Sequence, residues 1–225
     1  MAKINATNHR TGLADNTFFG SFPEASIDAL EKSSTLRKFK KNTHIIVIGE
    51  ESHAAYLILQ GSAYAFTDDD DGNEFIVATF LPGDCFGELG LLDGQARTAN
   101  VITTSMCECL VVPRAEIHRQ IQREPAVASV IINALVERIR GMTEDVSCLA
   151  LMDVYGRLAR ILNSEAQVQN DGTRVAARMT HQELAKRVGS SREMISKILK
   201  ELRIGGYLAI ENNQMHILKN LPERW

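Results

Sequence analysis

The stretch from Thr180 to Gly206, THQELAKRVGSSREMISKILKELRIGG, constrains the fold most, because its helices carry their own start and stop signals. Thr180 and Glu183 form an S/T-x-x-E pair, which starts a helix by satisfying its first free N–H groups. Leu184, Ala185 and Val188 give that helix an apolar face, and Gly189 ends it. Ser190 and Glu193 repeat the capping pattern at once. Met194, Ile195, Ile198, Leu199 and Leu202 mark a second apolar face, and Gly205-Gly206 stops the second helix. Two capped helices around a glycine-containing turn predict a helix-turn-helix. The second helix turns Arg192, Lys197, Lys200 and Arg203 to solvent, with Glu193 near its start. A helix fits the major groove, where Arg reads guanine O6/N7 and Glu accepts from cytosine N4. Arg192 and Glu193 lie in the first turn, the part of such a helix that reaches base edges. Downstream, YLAIENNQMHIL reads as two short strands, a wing.

Charge is divided along the chain in the same sense. Residues 151–225 hold 12 Lys and Arg against 8 Asp and Glu, a net of +4, whereas residues 1–150 hold 13 against 20, a net of −7. A basic C-terminal part behind an acidic N-terminal part points to a polyanion partner for the C-terminus. No apolar run approaches the roughly 18 residues of a membrane span. The N-terminal MAKINATNHRTGLADNTFF lacks the apolar core of a signal peptide, so a cytoplasmic location is expected.

Upstream the period is that of strands. PEASIDALEKSS reads as a short helix, and from Leu36 to Pro113 short apolar segments are bounded by or close to Gly, Pro or Asp, which predicts a barrel or sandwich. DDDDGNE carries an Asp-Gly turn signal and reads as an acidic hairpin tip. It is no EF-hand: with Gly72 at loop position 6, positions 1 and 12 fall on Thr67 and Ala78, not on acids. After Pro125, Ile131, Leu135, Ile139, Met142, Val146 and Leu149 recur at heptad-like steps on one long helix. Such a stripe packs either on its own domain or against a second copy, and the near-3.5 period favours a dimer seam. VYGRLARILNSEA then forms an amphipathic helix.

The segment FGELGLLDGQARTANV sets Glu88, Arg97 and Thr98 among small and apolar neighbours. A buried Arg needs an anionic partner, and its planar fork fits phosphate oxygens. An ionised Glu cannot donate to phosphate but can accept from a sugar hydroxyl. The alternative is that Glu88 and Arg97 pair with each other. Of four cysteines, Cys107 and Cys109 share one strand face as buried thiols, and no CxxC pair suggests a metal. The six histidines are scattered without metal-ligand spacing, so neither a metal site nor a catalytic constellation is expected.

In this order, a short-stranded barrel, a long helix and a winged helix-turn-helix resemble the CRP/FNR superfamily of bacterial transcription regulators, and its cAMP receptor protein branch in particular. FGELGLLDGQARTANV, LALMDVYGRLARIL and ELAKRVGSSREMISKILKEL carry the resemblance. It implies an α+β chain with four parts. These are a flexible N-terminus (1–19), a cyclic-nucleotide-binding β-roll (20–124), a dimerisation helix (125–151) and a winged helix-turn-helix (152–225). It implies a homodimeric, allosteric regulator of palindromic DNA with a GTGA-like core, acting with RNA polymerase and holding no permanent cofactor. By resemblance Glu88 accepts from a ribose 2′-hydroxyl, Arg97 and Thr98 hold the cyclic phosphate, and Gly87 and Leu89 bring backbone N–H groups close. The adenine contacts would fall on Met142 and Thr143. Arg192, Glu193 and Lys197 match the base-reading positions. Ser196 fills a position that is glycine in one branch and serine in another, while Thr180, Ser190 and Ser191 stand near backbone phosphates. This chain departs from the pattern in three places. Met142 lacks a hydroxyl, the cassette is one residue shorter than the branch implies, and Lys197 stands where arginine is usual. The effector implied first is therefore cAMP, with cyclic di-GMP, which acts on some relatives, as the alternative. A thiol switch through Cys107 or Cys109 is a third reading.

Overall fold

The computed structural model describes residues 13–14, 16, 18–169, 173–211 and 214–221. Most of the predicted flexible N-terminus and the tip of the predicted wing lie outside them. The chain divides into two units: the residues up to Thr67 with Ile76–Arg140, and Asp68–Phe75 with the residues from Gly141 on.

The first unit runs α1 (Glu24–Ser33), β1 (Thr35–Phe39), β2 (His44–Ile46), β3 (Ala54–Gln60), β4 (Ala63–Asp68), β5 (Glu74–Phe80), β6 (Cys85–Phe86), α2 (Glu88–Asp93), β7 (Asn100–Thr103), β8 (Cys107–Pro113), α3 (Arg114–Arg123) and α4 (Pro125–Leu151). The strands form two sheets ordered β1-β8-β3-β6 and β2-β7-β4-β5. Alternation decides what each strand face buries. In the antiparallel pair of β3 and β8, Leu57 stands opposite Leu110 and Ala55 opposite Val112. These four face a core built with Leu30 of α1, Leu91 of α2, Ile117 of α3 and Val127 and Ile131 of α4. The other faces give Ile58, Cys107 and Cys109 to a second core, which Ile46, Ala65, Phe80 and Val101 of the other sheet complete. Full burial of a Leu such as Leu57 or Leu110 stabilises by about 1.5–3 kcal/mol.

The long helix α4 corrects part of the predicted seam. Ile131 is buried in the core of its own unit and so is not available to a second copy, and Leu135, partly buried, packs against that core. The large apolar side chains that α4 leaves exposed are Ile132, Val136, Ile139, Met142, Val146 and Leu149, with Leu151 at its end. Two stripes one residue apart therefore share the helix. One faces home from Val127 through Ile131 and Leu135, and the other faces outward.

The second unit contains α5 (Val154–Glu165), β9 (Gln167–Val168), β10 (Arg174–Ala177), α6 (His181–Val188), α7 (Arg192–Ile204), β11 (Leu208–Glu211) and β12 (Gln214–Ile217). Asp153 caps α5 by accepting from the Gly156 N–H at 2.7 Å. The predicted wing strands β11 and β12 are present, and β10 and β9 extend them to a four-stranded sheet that the sequence reading missed. Tyr155, Leu158 and Leu162 of α5 pack with Leu184, Val188, Ile195, Leu199 and Leu202 in the core of this unit.

Candidate effector site and nucleic-acid interface

The effector site is built where β6 turns into α2. Gly87 stands at the N-cap of α2 with φ 76°, in the left-handed region. A Cβ there would come within 2.7 Å of Arg97 Nη1 and 2.9 Å of Ile46 Cδ1, so this turn requires glycine. Arg97 is placed by its backbone. Its N–H donates to Glu50 O, and its carbonyl accepts from the Gly49 N–H, both at 2.9 Å. Its side chain turns inward and is 9% exposed. Nη1 donates to Gly87 O at 2.7 Å and Nη2 to Ala54 O at 2.6 Å. The guanidinium charge is thus met by two carbonyl dipoles. Burial lowers its proton affinity below that of a free arginine, against the pull of Tyr56 and Glu50. A desolvated cation held by dipoles is a receptor for an anion.

Glu88, 5% exposed, does not pair with Arg97; its Oε1 accepts from Nη1 of Arg138 on α4. Burial lowers the proton affinity of Arg138 as well. Arg138 is not among the effector residues expected from the sequence. The signal was its spacing, since residues 131, 135 and 138 are i, i+4 and i+7 on the face that packs homeward. Gly87, Glu88, Leu89, Arg97, Thr98 and Arg138 share the lining of a cavity of about 50 Å³. Glu88, Arg138 and Phe80 also line a larger cavity of about 380 Å³, together with Cys85 and Leu135. Thus five of the seven predicted effector residues converge. Met142 and Thr143 are exposed on α4 and line neither cavity.

The helix-turn-helix follows its caps with one correction. Thr180 Oγ1 accepts from the Glu183 N–H at 3.1 Å and starts α6. Gly189 ends it with φ 68°. The cap of α7 is Ser191, whose Oγ accepts from the Met194 N–H at 3.2 Å, so the second capping pattern begins one residue later than Ser190. Ile195, Ile198, Leu199 and Leu202 are buried as predicted, whereas Met194 lies outside that face at 42% exposed. Arg192, Glu193, Lys197, Lys200 and Arg203 are all exposed. Ser196 is half-buried. Its Oγ donates to Arg192 O at 2.8 Å and stands 2.7 Å from His181 Nδ1, so the hydroxyl is engaged within the protein.

Cys107 and Cys109 are fully buried. Burial, helped by Cys107, pushes the Cys109 thiol up to about 12, and Cys107 Sγ donates to Ser62 O at 3.1 Å. Neither thiol is exposed, whereas a thiol switch needs an accessible one. Among the described residues no group of three metal-ligating side chains gathers, and no helix is long and apolar enough to cross a membrane.

Comparison with known proteins agrees with this geometry. Residues 36–124 match the family model of the cyclic nucleotide-binding domain, and residues 156–222 match that of the Crp-like helix-turn-helix domain. The chain is 31% identical to the cAMP-activated global transcriptional regulator Vfr of Pseudomonas aeruginosa, across 84% of this chain and 92% of that one. It is 33% identical to the cAMP-activated global transcriptional regulator CRP of Pasteurella multocida, across 74% and 82%. Among solved structures, the c-di-GMP responsive global regulator CLP of Xanthomonas campestris superposes with a TM-score of 0.76 at 25% identity, covering 88% of this chain and all of that one. FixK2 from Bradyrhizobium japonicum shares the fold, with a TM-score of 0.71 at 20% identity over 83% of this chain and 93% of its own.

Proposed function

This chain belongs to the CRP/FNR superfamily of transcription regulators, with a cyclic nucleotide-binding domain and a DNA-binding helix-turn-helix, and from that premise we propose that it is a homodimer switched by cAMP. The observation that carries the reading is Arg97, a buried guanidinium held by two backbone carbonyls beside Gly87. A cyclic phosphate supplies an anion to this group, whose hydrogen bonds go to neutral carbonyls. Thr98 adds a hydroxyl to the phosphate, and Glu88 accepts from the ribose hydroxyl. Because Glu88 also holds Arg138 of α4, a sugar hydroxyl on Glu88 competes with or tightens a contact to the long helix. Two copies join through Ile132, Val136, Ile139, Met142, Val146 and Leu149, the outward stripe of α4, which replaces the seam that began at Ile131 and Leu135. Thr143 borders that stripe beside Met142.

In the DNA-binding half, Arg192, Glu193 and Lys197 read bases in a GTGA-like half-site, while Ser190, Ser191 and Thr180 lie toward the phosphates. Ser196, already engaged by Arg192 O and His181, holds the helix start rather than a base. RNA polymerase is the expected further partner, and the working compartment is the cytoplasm.

A second reading keeps the architecture and replaces the effector with cyclic di-GMP. The 380 Å³ cavity lined by Glu88 and Arg138 favours it, because it offers a larger ligand room that the 50 Å³ cavity does not. Fluorescence anisotropy on a duplex with two inverted GTGA-like half-sites decides between them. The cAMP reading expects tighter DNA binding when cAMP is added and no response to cyclic di-GMP. A response to cyclic di-GMP alone contradicts it.

A further inference from the structure

Arg157 occupies a place that neither the effector site nor the DNA-reading face explains. It stands on the first turn of α5, half-buried. Its guanidinium donates to three carbonyls from two other segments. Nη1 reaches Met152 O at 2.8 Å, Nε reaches Val188 O at 2.9 Å and Nη2 reaches Gly189 O at 3.4 Å. Met152 follows the last residue of α4, and its N–H still donates to Cys148 O at 3.0 Å, so its carbonyl extends the C-terminal end of α4. Val188 and Gly189 are the last residue and the C-cap of α6.

The last carbonyls of a helix have no partner within it, and together they carry the negative end of the helix dipole. One cation here answers two such ends. A guanidinium does this well because its donors lie in a rigid planar fork, and each bond links a charge to a dipole. Beyond Gly189 the chain has only Ser190 and the cap Ser191 before the recognition helix begins at Arg192. The gap between the end of α4 and the start of α7 is therefore bridged by one side chain.

We propose that Arg157 is a positioning residue that ties the recognition helix to the C-terminal end of α4. Whatever moves the end of α4 moves the Met152 carbonyl, and through Arg157 the turn that aims α7. In a dimer joined along α4 this clamp sets the angle and separation of the two recognition helices, and so the half-site spacing the protein accepts. The inference rests on the dimer reading above but not on the identity of the effector.

The test measures tolerance to spacing. Three duplexes are titrated by anisotropy: a random sequence, the inverted half-sites about one helical turn apart, and the same site lengthened by two base pairs, which rotates one half-site by roughly 70°. Wild type is expected to lose about tenfold or more in affinity on the lengthened site, a loss of the size that one mismatched base pair causes. Arg157→Met is expected to bind random duplex like wild type, to bind the best site more weakly, and to lose several-fold less on lengthening. Arg157→Lys keeps the charge without the fork and falls between the two. Unfolding of the Met variant is detected by circular dichroism and by loss of random-duplex binding, and Arg157→Lys then decides alone. A spacing penalty equal to wild type in every folded variant overturns the clamp and leaves the dimer reading intact. A wild type that accepts both spacings equally overturns the dimer reading and the clamp together.

Discussion

At the scale of single residues, the chain sorts its buried ionisable groups by what meets them. Two carbonyls solvate the buried charge of Arg97, and Arg138 reaches the buried carboxyl of Glu88. Cys109 has neither kind of partner, and burial holds it protonated, from 9.0 up to about 12. A thiol whose folded value is raised adds stability that is full below the unfolded value and fades as pH rises toward the folded one. The contribution of Cys109 is therefore intact at neutral pH and is lost between 9.0 and about 12. Urea unfolding of wild type and Cys109→Ala at about pH 8 and about pH 11 checks this. The stability lost between the two conditions should be smaller in the variant. An equal loss would assign the alkaline sensitivity to other groups.

At the scale of elements, the local signals were the reliable ones. Thr180, Gly189 and the apolar face from Ile195 to Leu202 mark helix ends and sides by backbone chemistry alone, so a single sequence shows them. The second cap was misplaced by one residue because Ser190 and Ser191 are both competent oxygens, and only the Met194 N–H, 3.2 Å from Ser191 Oγ, decides between them. Ser191→Ala should cost about 0.5–2 kcal/mol in chemical denaturation. Ser190→Ala should stay within about 0.5 kcal/mol. The reverse order would return the cap to Ser190. The long helix shows the opposite limit. Ile131 and Ile132, and Leu135 and Val136, are neighbouring apolar pairs, so the same sequence writes two stripes and periodicity cannot say which one faces home. Packing on Leu57 and Ile117 settles it. The same packing carries Arg138 to Glu88, fifty positions away; spacing puts Arg138 on the homeward face but does not name its partner. Strands β9 and β10 escaped for a related reason. They are two and four residues long, and their alternation has almost no length in which to show.

At the scale of the whole molecule, the chain forms two units, and α4 runs from one into the other. The N-terminal unit holds a buried cation, Arg97, and the C-terminal unit an exposed basic helix, α7, which on the proposed reading meet a small anion and a large one. Residues 1–150 carry a net charge of −7 and residues 151–225 a net of +4, so the basic excess lies in the stretch that holds the helix-turn-helix. The central claim is that Arg97 is the receptor for a cyclic phosphate. Its most direct test is calorimetric titration of wild type and Arg97→Leu with cAMP, beside a thermal melt of each. The substitution leaves the Gly87 and Ala54 carbonyls without their donor, at a cost of about 1–3 kcal/mol each if they stay dry, so the variant should melt earlier but cooperatively. Saturable cAMP binding by wild type, absent from a folded Arg97→Leu, is the predicted result. A folded Arg97→Leu that binds cAMP as wild type does would contradict the account.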